Sequence, residues 1–298
     1  MNAPEKLKQF DRDAQVVGNI VHLEHFNVVI PDQRLAILFY VVGLGGTRDP
    51  YLFPGLENMW VNFGRTQVHL PSRVANRAEV LRGTAGLVVP SLEDLKKRLE
   101  HAGNEMKRVV PEAQTKFSWR EKDGAIEATC PWGNRVRCHA PSPEFGRTEL
   151  GLMYVDFDVP PGTAEGIARF YRDVMRCPAQ ADKGRASVGV GRNQRLYFTE
   201  TPAPQPEYDN HHIQVYIADF AGPYHWLKAR ELVSMETDAN EWRFQWITDP
   251  KDGRKLFQIE HEVRSMKHPL FARPLVNRNH AITNMTYVAG FDAFRGTY

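Results

Sequence analysis

His25-Phe26-Asn27-Val28-Val29-Ile30-Pro31-Asp32, followed by RLAILFYVVGLGG, is the stretch that decides the fold. It reads as a short apolar strand, a proline stop and then an amphipathic helix. The same pattern returns three times. TAGLVVPS runs from Thr84 to Ser91 before LEDLKKRLEHAG, YVDFDVPP from Tyr154 to Pro161 before GTAEGIARFYRDVM, and HIQVYIAD from His212 to Asp219 before FAGPYHWLKAREL. The copies begin at 25, 84, 154 and 212, so the first and third starts differ by 129 and the second and fourth by 128. Two like halves of two modules each account for those spacings.

Local signals agree with the repeat. Ser91 with Asp94 three residues on is a helix-start arrangement, and Leu92, Leu95 and Leu99 form one apolar face. In the third copy Ile167, Phe170, Tyr171 and Val174 share a helical face, with Thr163 as the expected cap. Strand-like sequence follows each helix, punctuated by Lys122-Asp123-Gly124 in the second module and Asp249-Pro250-Lys251-Asp252-Gly253 in the fourth. Each module therefore reads as βαβββ. The predicted organisation is an N-terminal arm over 1–17, a first domain over 18–142 from modules 1 and 2, a second over 148–265 from modules 3 and 4, and an extension over 266–298. In that extension MTYVAGFDAF reads as a final strand or an interface strip.

The βαβββ repeat, the HFNVVIPD opening and the PWGN and DPKDG turns resemble the vicinal oxygen chelate superfamily, over roughly residues 20–265. That group includes glyoxalase I, fosfomycin- and bleomycin-resistance proteins and extradiol dioxygenases. The resemblance implies an α+β fold, with four βαβββ modules pairing into two cup-shaped vicinal oxygen chelate domains. It also implies a divalent metal (Fe, Zn, Mn or Ni), held by residues from the first and last strands of each module, that chelates two adjacent substrate oxygens. The expected function is a metal-dependent, glyoxalase- or dioxygenase-like enzyme. The alternative is a metal-free protein that binds small molecules in the same cups, with Trp60, Trp119, Trp132, Trp226, Trp242 and Trp246 as wall candidates.

In the first half, His25 opens the first strand at the family's ligand position, and His69 ends that module's last strand. Module 2 opens on Thr84, a poor ligand. Its last strand holds Arg137 where the family commonly has Glu. His139, two residues on, has the same strand parity and so faces the same cup. The expected ligand set is therefore His25, His69 and His139, a triad of imidazoles that suits Zn, Fe, Ni or Cu. Arg137 and Tyr154 are the expected substrate-binding groups, and alternation puts Glu24 on the face opposite His25. The rival set is His212 with Glu260, although strict spacing after Gly253 gives Phe257 the acidic position. On this reading, loss of His25 or His69 removes the metal and loss of His212 changes little.

Composition narrows the class. The chain has 298 residues, of which 42% are hydrophobic and 25% charged, a globular mixture rather than a disordered one. Its 38 Lys and Arg nearly balance 36 Asp and Glu, giving +2, so no nucleic-acid partner is expected. Three cysteines cannot all pair within one chain and read as reduced thiols. The start lacks a secretory signal, and no apolar run is long enough for a membrane span. The expectation is a cytoplasmic monomer or homodimer acting on a small-molecule substrate.

Overall fold

The computed structural model describes residues 11–12, 15–49, 58–72 and 77–273. Most of the expected N-terminal arm, and the strip MTYVAGFDAF, lie outside the described residues. Four modules follow one another. The first is β1 (Ile20–Asn27), α1 (Gln33–Ala36) running on as a π-helical stretch (Ile37–Gly43), β2 (Thr47–Arg48), β3 (Asn58–Phe63) and β4 (Thr66–Pro71). The second is β5 (Gly83–Val88), α2 (Leu92–Val109), β6 (Ser118–Lys122), β7 (Ala125–Thr129) and β8 (Arg135–His139). The third is β9 (Gly151–Val159), α3 (Ala164–Arg169) with its π-helical continuation (Phe170–Val174), β10 (Ala179–Asp182), β11 (Arg185–Gly189) and β12 (Arg195–Glu200). The fourth is β13 (His212–Ile217), α4 (Ala221–Lys228), β14 (Val233–Thr237), β15 (Glu241–Thr248) and β16 (Lys255–Ser265).

The strands form two eight-stranded sheets, ordered β14-β15-β16-β13-β1-β4-β3-β2 and β10-β11-β12-β9-β5-β8-β7-β6. Module 1 therefore shares a sheet with module 4, and module 2 with module 3. This corrects the expected pairing of neighbours 1 with 2 and 3 with 4. The four modules carry the same apolar pattern, so each central strand is chemically able to join any other. The links from β4 to β5 and from β8 to β9 are both 11 residues long, so their length does not discriminate either.

Alternation along the central strands separates core from cup. Ile213, Val215 and Ile217 enter the core, as do Ile259, His261 and Val263, while His212, Gln214, Glu260 and Glu262 face the other side. Phe257 falls on the core side of β16, so it is not a ligand candidate. Local chemistry matches most expectations. Ser91 Oγ accepts from Asp94 N at 3.1 Å, and α2 buries Leu95, Leu99 and Met106. Asp123 and Gly124 take the positive φ angles, 50° and 70°, that turn β6 into β7. Thr163 does not cap α3. Its hydroxyl donates to Pro160 O, and Glu200 Oε1 accepts from Ala164 N at 2.8 Å instead.

Candidate metal centre

The register of the first sheet brings two polar rows side by side. One runs Glu260–His212–Asn27–His69–Trp60, and the next Glu262–Gln214–His25–Gln67–Asn62. These rows line the concave face shared by modules 1 and 4. Within them one ring nitrogen from each of His25, His69 and His212 lies within 4.8 Å of the others. The ring centroids of His69 and His212 stand 5.8 and 6.1 Å from that of His25. Of the expected triad, His25 and His69 converge. The third member is His212, not His139.

Each imidazole is oriented by a neighbour. His25 is fully buried, and its Nδ1 lies 3.2 Å from Glu24 Oε2. An ionised carboxylate only accepts, so Nδ1 carries the proton and Nε2 keeps its lone pair. That Nε2 is buried without a hydrogen-bond partner, and such an orphaned acceptor is costly unless a ligand claims it. His212 Nε2 faces the Glu262 carboxylate instead. His69 stacks on Trp60 at 3.7 Å, and its two ring nitrogens each sit 2.6 Å from an asparagine, Asn27 and Asn58. Ligation through His69 requires one of those contacts to open. Burial lowers the pKa of His25, and burial with the neighbouring His25 and His212 holds His69 well below the usual imidazole value. Both rings are thus neutral near pH 7, as ligation requires.

Glu24 is inside this cup, contrary to simple alternation. Gln194, from module 3, accepts from Leu23 N at 3.1 Å and donates to Leu23 O at 2.8 Å. It takes over the ladder bonds of Leu23, and β1 shifts register between Leu23 and His25. The resulting bulge turns Glu24 toward His25. Burial opposes its charge, but the His25 hydrogen bond and Arg264 outweigh this and hold its pKa at about 2.

A carboxylate-rich ion network surrounds the histidines. Glu262 Oε2 lies 3.4 Å from His212 Nε2, and Glu262 is clasped by Arg243 at 2.6 Å and by Arg264. Burial works against its charge, but Arg264, His212, His25 and Arg243 keep its pKa well below the ordinary range. Glu260 bonds Arg243 at 2.9 Å and Gln245 at 3.2 Å, and lies 3.8 Å from His212 Nδ1. Among the described residues, Glu24, Asp49, Glu241, Glu260 and Glu262 meet Arg243, Arg264 and Arg273 here. Two buried neutral imidazoles, a third beside them and the unpartnered Nε2 of His25 fit a transition metal.

Arg137, His139 and Tyr154 belong to the other cup. His139 Nε2 lies 2.8 Å from Tyr154 OH, and Arg137 bonds Glu127 Oε1 at 2.7 Å. None of the three joins the cluster around His25. The cause is the module pairing, which brings β13 rather than β8 to the centre of the first sheet.

No family model matches the chain, and no curated protein matches it in sequence. Solved structures do match in fold. One is a "putative dioxygenase" from Bacillus subtilis subsp. subtilis str. 168, with a TM-score of 0.58 and 13% identity over 90% of each chain. Another is glyoxalase I from Zea mays, with a TM-score of 0.54 and 14% identity over 81% of this chain and 92% of that one. At such identities the likeness is one of fold. No helix among the described residues is long and apolar enough to cross a membrane.

Proposed function

Because the chain has the tandem vicinal oxygen chelate fold, we propose that the cup of modules 1 and 4 is the site of a divalent-metal-dependent enzyme. Its substrate is a small molecule with two neighbouring oxygens, and its chemistry is glyoxalase- or dioxygenase-like. The observation that carries this reading is the convergence of His25, His69 and His212, with the Nε2 atom of His25 buried and unpartnered. These three side chains would hold the ion, which is Fe, Zn, Mn or Ni. Bound there, the metal would supply Lewis-acid stabilisation of charge developing on the chelated oxygens.

The chain's own groups have distinct tasks. Glu24 fixes the His25 ring and its tautomer through Nδ1. Glu262, neutralised by two arginines, is held beside His212 and keeps that ring facing the cluster. Glu260 stands next to the cluster on the same row as His212 and is the carboxylate placed to exchange a proton with a bound substrate. Trp60 and Tyr216, buried along the rows, give the site an aromatic wall.

Cobalt(II) tests this directly. Titration into the metal-free full chain should give visible d–d bands saturating at one ion per chain. Acetohydroxamate, a chelator with adjacent oxygens, should then shift those bands. Bands that never develop, or that ignore the chelator, would contradict the reading.

A further inference from the structure

The second cup repeats the lattice of the first with different side chains. By register, Thr84 stands where His25 does, Arg137 where His69 does, Tyr154 where His212 does and Tyr197 where Glu262 does. Three imidazoles and a carboxylate offer lone pairs. A hydroxyl, a guanidinium and two phenols offer protons. These four positions hold lone-pair donors in one cup and proton donors in the other, and Asp156, which stands in the place of Gln214, is engaged by Arg185 and Thr199. Gly86, the counterpart of Asn27, makes the exchange feasible. A Cβ there would lie 2.1 Å from the Tyr154 ring, so glycine lets that ring rest on β5 and reach His139.

The charge balance points the same way. Glu127 serves three cations, with Arg137 at 2.7 Å, Arg120 at 2.6 Å and Lys122 at 3.9 Å. One carboxylate cannot neutralise three positive groups. Glu127 itself lines a pocket of about 420 Å³, together with Arg120, Lys122 and Arg135 and with Thr84, Ser118 and Thr129, and Arg135 is paired with Asp158. Its volume is in the range of small-molecule sites. Trp119 also lines it and offers a flat aromatic surface.

We propose that the second cup binds the oxyanion end of a small organic ligand, a carboxylate or a phosphate group. Arg120 and Lys122, which line the pocket, are the charged anchors, and Arg137 shares Glu127 with them. Thr84, Ser118 and Thr129 supply neutral donors. The site needs no metal and works independently of the first cup.

Equilibrium dialysis of the full chain tests it, after chelator treatment and removal of the chelator. One arm uses radiolabelled inorganic phosphate and the other radiolabelled benzoate. The expected result is saturable binding near one per chain in at least one arm. Phosphate alone would identify a phosphate-bearing ligand, and benzoate alone an aromatic carboxylate. Arg120→Gln should weaken binding tenfold or more. Should that variant not fold, Lys122→Gln carries the same expectation. Arg108→Gln on α2 and His25→Ala should leave binding unchanged, and the latter separates this site from the metal site. No saturable binding of either probe, or equal loss in Arg108→Gln or His25→Ala, would overturn the proposal.

Discussion

In the first cup, His25, His69 and His212 face one another among buried carboxylates, and the ion network is sealed. The side chains of Arg264 and Glu262 are 9% and 3% exposed. In the second cup, Thr84, Arg137, Tyr154 and Tyr197 hold the same lattice positions, and the ion pairs are open to water. Arg185 and Asp156 there are 46% and 26% exposed. Both cups are built from the same βαβββ modules and the same strand order. The difference teaches that the fold supplies a set of converging positions, while side chains decide what charge and exposure those positions carry.

The largest expected effect tests the sealing. Arg264→Met leaves Glu24 and Glu262 as buried, under-compensated charges, and should cost about 3–5 kcal/mol in urea unfolding at pH 8. The loss should shrink toward pH 4. Without Arg264 the folded pKa values of both carboxylates rise, and a raised carboxylate regains stability as pH falls through it. Arg185→Met in the open cup should cost no more than about 1 kcal/mol. Equal losses would erase the contrast between the cups.

A second effect concerns the ligands. Removing the His212 imidazole by His212→Ala should weaken metal binding on the order of 100-fold or more, measured by competition with a chromophoric chelator. His139→Ala should leave it unchanged, because His139 bonds Tyr154 in the other cup. A large loss with His139→Ala alone would restore the triad expected from sequence.

The smallest effect sharpens the account of the β1 bulge. Glu24→Gln keeps size but weakens the hold on His25 Nδ1, and should reduce metal affinity by roughly tenfold. No change in affinity would mean that Glu24 serves the ion network without orienting the ligand.

Much of the fold was legible because strand and helix periods repeat four times. Caps and turns at Ser91 and at Asp123-Gly124 formed as their residue types require. The pairing of modules was not legible, because four apolar edges of similar sequence do not name their partners. That single gap moved His139 out of the site and His212 into it. The Arg137 position warned of this in the sequence itself, since its fixed positive charge would repel a cation. Alternation placed Glu24 wrongly because the bulge depends on Gln194, a residue 170 positions away from Glu24. Long-range side-chain-to-backbone bonds of that kind leave no periodic trace.

The central claim is that one cup holds a metal and the other does not. Elemental analysis of the folded full chain, dialysed against excess Fe(II), Zn(II), Mn(II) or Ni(II) and then desalted, tests it most directly. The account predicts one ion per chain with at least one of these metals, retained in Arg137→Gln and lost in His25→Ala, His69→Ala and His212→Ala. Two ions per chain, none with any metal, or one that survives all three histidine substitutions would contradict it.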